Sequence, residues 1–208
     1  IVGPTGAGKT TLINLLMRFY DVDGGSILVD GVDTKEMTRH ELRDRFGMVL
    51  QDAWLFEGSI RDNIAYAQDN LPEEKIIAAA RSASVDSFIK TLPGGYDFEL
   101  STGAENISQG QRQLLTIARA MASDPEIMIL DEATSNVDTH TEQLIQKALA
   151  KLMHGRTSFV IAHRLSTIRD ADMILYMEHG DILEHGSHEE LMAQHGKYEA
   201  LYMSQFAQ

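Results

Sequence analysis

The chain has 208 residues, 43% of them hydrophobic, so it can bury the core of one globular domain with or without a subdomain. Its 31 acidic and 18 basic residues give a formal net charge of -13, which repels nucleic-acid phosphates, and we expect no nucleic-acid partner. The absence of cysteine excludes disulfide bonds and thiolate metal sites. No apolar run approaches the ~20 residues that a helix needs to cross a bilayer.

Hydrophobic periodicity, capping residues and turn residues predict alternating strands and helices. In chain order, we predict strand residues 1–2, a helix over 9–19, strands over 27–29 and 48–50 with a helix from Thr38 between them, helices over 59–65, 72–83 and 85–91, a loop over 93–106, a helix over 108–122, a strand over 127–130, a helix over 138–152, a strand over 158–162, a hairpin of 173–177 and 181–184, and helices from about Ser187 and Lys197. Glu41 and Glu190 each follow a Thr or Ser at a helix start by three residues, which is the capping-box pattern.

The predicted strands 127–130 and 158–162 are almost continuously apolar and a helix separates them, which is typical of a buried parallel sheet. A helical stretch before them interrupts the alternation of strand and helix. We therefore predict an α/β fold with a mostly parallel sheet flanked by helices. Its core would comprise residues 1–51 and 124–208, with an inserted helical subdomain of residues 52–123. We also expect the N-terminal strands to be truncated, which would make the chain a piece of a longer protein.

The segment Gly3-x-x-x-x-Gly8-Lys9-Thr10 has the spacing of a phosphate-binding loop. Its glycines let backbone amides approach phosphates, the following helix N-terminus adds a positive dipole end, Lys9 reaches the terminal phosphates and the Thr10 hydroxyl can bind Mg²⁺. A glycine-rich turn before a helix would not need a Lys-Thr pair. The segment therefore predicts binding of a nucleoside triphosphate.

Polar residues follow four predicted strands: the phosphate loop after Val2, Gln51, Asp131 with Glu132, and His163. Ligands of open parallel sheets bind beyond the carboxyl ends of the strands, so we expect these groups to share one site. Asp131 suits a Mg²⁺ shell, and Glu132 suits a general base that orients the attacking water. Two alternatives remain open: an Asp-Glu pair after a strand also caps helices, and a lone histidine is often structural.

Ser108 and Gly110 lie at the start of another predicted helix, which makes a second terminus suited to anions. Two phosphate-binding helix ends in one chain are unexpected for a monomer that binds one nucleotide.

These motifs resemble, in the same order, those of the nucleotide-binding domain of ATP-binding cassette (ABC) transporters. The resemblance rests on the Walker A loop 3–10, the Q-loop Gln51, the signature 107–111, the Walker B run 127–131 with Glu132, the D-loop 135–138 and the switch His163, and it covers essentially the whole chain. Residues 51–64 are similar to the exporter branch of the family. The resemblance implies a phosphate-loop, RecA-like fold.

The resemblance also implies an ATPase that powers export, with ATP and Mg²⁺ as ligands, at the cytoplasmic face of the cell membrane and joined to transmembrane domains. In this family two domains, identical or not, hold ATP between the Walker A loop of one and the signature of the other. The implied nucleotide-binding residues are Gly3, Pro4, Thr5, Gly6, Ala7, Gly8, Lys9, Thr10 and Thr11 in one domain and Ser108, Gly110 and Gln111 of the partner domain. The implied catalytic residues are Glu132, His163 and Gln51, and the implied metal-binding residues are Thr10, Gln51 and Asp131.

The signature departs from the family pattern at Gln109, where glycine is usual. Similar signatures occur in bacterial exporters that work as heterodimers, so a non-identical partner is an open alternative. A second alternative is a soluble ABC ATPase without a membrane partner, such as a translation or DNA-repair factor, but the exporter-like segment 51–64 and the net charge argue against it. A third is a regulatory domain that binds ATP without hydrolysis, against which Glu132 and His163 argue.

Overall fold

The computed structural model describes residues 1–50, 52–66, 68, 70–131, 137–162 and 165–206. The α-helices in these residues are α1 Lys9–Leu16, α2 Arg39–Asp44, α3 Ile60–Ile64, α4 Glu73–Ser82, α5 Asp86–Ile89, α6 Gln109–Ser123, α7 Thr139–Met153, α8 Leu165–Arg169, α9 His188–Ala193 and α10 Lys197–Phe206. The strands are β1 Leu28–Val29, β2 Val32–Asp33, β3 Phe46–Val49, β4 Gly58–Ser59, β5 Glu99–Leu100, β6 Ile127–Asp131, β7 Thr157–Ile161, β8 Ile174–Glu178 and β9 Asp181–Gly186. The predicted α/β fold is confirmed. No helix among the described residues is both long enough and apolar enough to cross a membrane.

The strands form one three-stranded sheet in the order β3-β6-β7 and three two-stranded pairs, β1-β2, β4-β5 and β8-β9. The β8-β9 pair is antiparallel and has a register shift between Tyr176 and Met177, and it confirms the predicted hairpin. The two-residue strands β2, β4 and β5 were not predicted, because two residues are too few to show an alternating pattern.

The first two residues have the hydrogen bonds of a strand. The Val2 amide donates to the Leu175 carbonyl at 2.9 Å, and the Val2 carbonyl accepts from the Met177 amide at 2.9 Å. These bonds make a parallel bridge between Val2 and Tyr176 of β8. On the other side, the Ile1 carbonyl accepts from the Ala162 amide at 3.2 Å. The predicted strand stub is therefore extended and paired, and it leads directly into the phosphate loop.

The chain divides into two compact units. The first comprises Ile1–Asp44, Leu130–Ala133 and Phe159–Gln208, and the second comprises Arg45–Ile129 and Thr134–Ser158. The predicted division into an α/β core and a helical subdomain at residues 52–123 uses other boundaries and stays a prediction.

The core of the second unit is organised around α6, which packs against α3, α4, α7 and β3. Its buried side chains include Leu114, Leu115, Ile117 and Ala118. Since these positions recur with helical spacing, they place one apolar stripe toward the neighbouring elements. The first unit has a core of its own, in which Val2, Ile168, Ile174, Tyr176, Leu191 and Tyr198 are buried together.

Local capping determines several helix starts. The Thr38 amide donates to Glu41 Oε2 at 2.8 Å, and the Glu41 amide donates to Thr38 Oγ1 at 3.2 Å, so the predicted box at α2 is confirmed. The predicted box of Ser187 and Glu190 at α9 is confirmed as well. Each box satisfies amides that a helix start leaves without a partner.

Helix α1 ends at Leu16, earlier than the periodicity predicts. Arg18 has a left-handed backbone with a φ of 51°. The Arg43 guanidinium donates to the Met17 carbonyl at 3.2 Å and to the Arg18 carbonyl at 3.1 Å. A side chain distant in sequence thus satisfies the carbonyls at this helix end, and the apolar pattern alone does not reveal the stop.

Candidate nucleotide-binding site

The phosphate loop joins the strand stub to α1 and lies in the first unit. Gly8 is the N-cap of α1 and has a φ of 100°. Gly3 has a φ of 149°, and a Cβ atom there would lie 2.1 Å from the Met177 carbonyl oxygen. A side chain at Gly3 therefore cannot fit without a backbone shift, and the φ of Gly8 strains any residue other than glycine.

Lys9 is the first residue of α1, and its ammonium group turns back over the loop. Nζ donates to the Gly3 carbonyl at 2.7 Å and to the Pro4 carbonyl at 3.0 Å. Burial lowers the pKa of Lys9, and the negative charge of Asp131 opposes that change. The carboxylate at the end of β6 therefore lies close enough to the ammonium group to interact with it.

This arrangement fits a nucleoside triphosphate with its metal ion. The loop amides and the α1 N-terminus attract phosphate, and no acidic side chain occupies the first turn of α1. Thr10 and Thr11 are exposed at the start of the helix. A threonine hydroxyl and a carboxylate are ligands that Mg²⁺ takes together with substrate phosphates, so Thr10 and Asp131 suit the ion.

Three predicted site residues, Gln51, Glu132 and His163, lie outside the described residues, as do Ser135 and Asn136 of the D-loop. Their roles stay predictions. Of the four predicted strand ends, the structure brings together the phosphate loop and Asp131.

The signature segment begins α6 in the second unit. The Ser108 hydroxyl is the N-cap and accepts from the Gln111 amide at 3.3 Å, while the Gln111 side-chain oxygen accepts from the Ser108 amide at 2.9 Å. The Ser108 hydroxyl is exposed, and the capping box uses only its oxygen as an acceptor. Its proton is therefore free to be donated to an anion.

Gly110 has a packing role that the sequence interpretation missed. It is buried in the first turn of α6, and a Cβ atom there would lie 2.3 Å from Thr141 Cγ2 and 3.1 Å from Val137 Cγ1. Residues Val137 and Asp138 lead into α7, where Asp138 accepts from the Thr141 amide at 3.0 Å. The missing side chain thus lets the signature helix approach α7 closely. A glycine inside a predicted helix was the signal for such packing.

An aromatic cluster lies before and after α3 in the second unit. The rings of Trp54, Phe56 and Tyr66 are 5.8 to 6.2 Å apart between centroids. The Arg119 guanidinium of α6 lies 4.8 Å from the Tyr66 centroid and 5.9 Å from that of Trp54. Trp54 is 60% exposed and Tyr66 47% exposed. Two of the three rings thus remain open at the surface of the second unit.

A glycine-rich loop between a strand and a helix, with Lys9 over the loop and Asp131 at a nearby strand end, defines a phosphate-loop nucleotide-binding domain. The family model described as ABC transporter matches residues 1–135 of the chain. The chain belongs to the ABC transporter family, in which it is a nucleotide-binding domain.

Curated relatives include two lipid-related transporters. The chain is 58% identical over 198 residues to a fatty acid ABC transporter ATP-binding/permease protein of Mycobacterium bovis, a match that covers 95% of this chain and 31% of the relative. It is 51% identical over 205 residues to an ATP-dependent lipid A-core flippase of Desulfotalea psychrophila, covering 99% of this chain and 36% of the relative.

Among solved structures, a bacterial Atm1-family ABC exporter with ATP bound superposes with a TM-score of 0.90 at 43% sequence identity. That match covers 99% of this chain and 36% of the exporter chain. The present chain therefore spans about a third of the length of the relatives that it matches.

Proposed function

We propose that this chain is the ATP-hydrolysing motor domain of an ABC exporter. The observation that carries the proposal is the phosphate loop at the start of α1. Its Lys9 ammonium group donates to two loop carbonyls and interacts electrostatically with Asp131 at the end of β6. Family membership and the likeness to a solved ABC exporter support export as the process that it powers. A soluble ABC ATPase without a membrane partner is not favoured, because the relative from Mycobacterium bovis is an ATP-binding/permease protein and the similar solved structure is an ABC exporter.

The residues divide the work of hydrolysis by their chemistry. The loop residues Gly3 to Thr11 bind the phosphates of ATP, and Lys9 neutralises their charge. Thr10, Gln51 and Asp131 would hold Mg²⁺, which would supply positive charge to offset the negative charge of the phosphates. Glu132 would orient the attacking water as general base, and His163 is a further proposed catalytic residue.

We further propose that the site is completed by a second ABC nucleotide-binding domain. The exposed Ser108 hydroxyl has a proton to donate, and the helix start at Gly110 and Gln111 attracts anions. The phosphate loop and this end of α6 would then be two half-sites of the chain. ATP would lie between the loop of one domain and the signature of its partner, identical or not.

The aromatic cluster of Trp54, Phe56 and Tyr66 is the proposed contact with the transmembrane domains of the same transporter, at the cytoplasmic face of the cell membrane. Its exposed rings suit an apolar partner, since aromatic side chains and arginine are enriched in interfaces. Hydroxyl-radical footprinting of the full-length protein tests this contact. Trp54 should react several-fold more slowly than a tryptophan that is 60% exposed. A reaction rate that matches this exposure would contradict the proposed contact.

The Glu132→Gln variant of the full-length protein tests the proposed function. Loss of the base should lower ATP turnover by roughly 10²- to 10⁴-fold, while ATP binding persists and the closed dimer accumulates. Glu126→Gln is a matched control, because Glu126 is a 69% exposed carboxylate paired with Arg45 at the other end of β6. Single-turnover hydrolysis at the wild-type rate in the Glu132→Gln variant would exclude the role of general base.

A further inference from the structure

The end of the β8-β9 hairpin lies directly against the phosphate loop within the first unit. The Gly180 amide donates to the Ala7 carbonyl at 2.9 Å. A Cβ atom on Gly8 would lie 3.3 Å from Gly180 Cα, and one on Gly3 would collide with the Met177 carbonyl. The two glycines that begin and end the loop therefore each face the hairpin at backbone contact distance.

The hydrogen bond from Gly180 determines the direction of a neighbouring amide. The Ala7 carbonyl and the Gly8 N–H belong to the same peptide unit, and in a planar trans peptide these two groups point in opposite directions. Because the carbonyl points at the hairpin, the Gly8 N–H points away from it. That N–H belongs to the N-cap of α1, where amides bind phosphate.

The conformation of the hairpin turn sets the position of the Gly180 amide. Glu178 and Asp181 are paired, so His179 and Gly180 are the two turn residues. Their φ values are 54° and 88°, which is a type I′ turn with left-handed backbone at both positions. An ion pair between Glu178 and Lys197 joins the turn to α10.

We propose that Gly180 is a positioning residue for nucleotide binding: its left-handed backbone holds the Ala7-Gly8 peptide with the amide directed at the phosphates. The inference rests on the proposed ATP-binding function and adds a residue to it that lies outside all the motifs of the sequence. It predicts an effect on ATP affinity that exceeds any effect on the chemical step, because Gly180 contacts the loop and none of the reacting atoms.

Steady-state ATPase kinetics of the full-length protein test this role with Gly180→Ala. The new Cβ atom has open space, so the substitution acts through backbone strain alone. The KM for ATP should rise roughly 5- to 10-fold, while kcat at saturating ATP stays within about 2-fold of wild type. Gly180→Asn should keep the KM within about 2-fold, because asparagine adopts the left-handed region more readily than alanine.

The control is Gly155→Ala. Gly155 also has a left-handed backbone, with a φ of 74°, and open space around its Cβ position, but it lies between α7 and β7 in the second unit. It should leave the KM unchanged. Should Gly180→Ala fail to fold, His179→Val strains the same turn at a side chain that is 90% exposed, and the same rise in KM is expected.

The inference would be overturned if Gly180→Ala, or His179→Val in its place, had the same KM as Gly155→Ala. It would also be overturned if Gly180→Asn raised the KM as much as Gly180→Ala. A wild-type protein that neither binds nor hydrolyses ATP would contradict the proposed function itself. Failure of the inference alone is recognised by normal wild-type ATP turnover together with an unchanged KM in the strained turn variant.

Discussion

At the scale of single residues, Gly110 has two possible reasons to be a glycine: contact with a phosphate and close packing against α7. Its position in the signature predicts an amide for a phosphate of the partner site, and its burial against Thr141 shows that a side chain has no room there. A loss of activity on substitution would therefore not by itself identify a phosphate contact. The two roles can be separated by a second substitution at Thr141 that relieves the steric conflict.

We expect Gly110→Ala to lower the free energy of unfolding by about 1–3 kcal/mol, since overpacked contacts cost that much. Adding Thr141→Ser removes the colliding Cγ2 atom and should restore most of the loss. Urea unfolding of the wild type, the two single variants and the double variant gives the coupling energy between Gly110 and Thr141. Gly24→Ala is the control, because a Cβ atom there meets nothing within 4 Å, and it should change stability by no more than about 0.5 kcal/mol. A double variant as unstable as Gly110→Ala would show that Thr141 is not the obstacle.

At the scale of elements, the side chain of Asn63 joins α3 to the aromatic cluster and to α6. Its Oδ1 accepts from the Phe56 amide at 3.1 Å and from Arg119 at 3.0 Å. Its Nδ2 donates to the Phe56 and Ser59 carbonyls, both at 3.0 Å. Asn63 is fully buried, so water cannot replace these bonds. One amide thus holds the short helix, the loop before it and the central helix together.

Asn63→Leu should lower the free energy of unfolding by about 2–4 kcal/mol, because it leaves several buried polar groups without partners. The matched control is Asn106→Leu. Asn106 also accepts from Ser101 and donates to the Glu99 carbonyl, but it is exposed. Water can replace its bonds, and we expect a loss of about 0.5–1.5 kcal/mol. Equal losses in urea unfolding would mean that burial of the network does not matter.

At the scale of the whole molecule, the described residues of this acidic chain include carboxylates that the folded state stabilises in their charged form. Cationic side chains or backbone amides lower the pKa of five of them: Asp21, Asp86, Asp138, Glu178 and Glu190. A lowered pKa means that the folded state binds fewer protons than the unfolded state at acid pH. These groups therefore stabilise the fold above the ordinary carboxylate pKa, and their contribution is lost as the pH falls below it.

Asp86 is the best probe of this acid sensitivity, because its side chain is only 12% exposed. Lys90 donates to Asp86 Oδ2 at 2.8 Å and Tyr96 donates to Oδ1 at 2.7 Å, and the bond from Lys90 is the main cause of the lowered pKa. The urea midpoint of the wild type should fall as the pH drops from about 5 towards 2. Asp86→Asn should be less stable at pH 7 and lose less stability on acidification. If the urea midpoints of the two proteins changed in parallel with pH, a lowered pKa of Asp86 would be contradicted.

The sequence by itself determined the family, the α/β class, most helix and strand positions and the phosphate loop. Those features depend on residues a few positions apart, such as Thr38 with Glu41 at a helix start or Gly8 beside Lys9, so a local pattern contains the whole interaction. Only the tertiary structure decided why Gly3 and Gly110 must be glycine, where α1 ends and which group orients the Gly8 amide. Each depends on a contact between distant parts of the chain. Gly3 meets Met177, and Gly110 meets Thr141. The end of α1 is bonded by Arg43, and the Ala7-Gly8 peptide by Gly180. Tertiary packing brings these residues together, and the periodicity and spacing of a sequence do not predict which distant segments will come into contact.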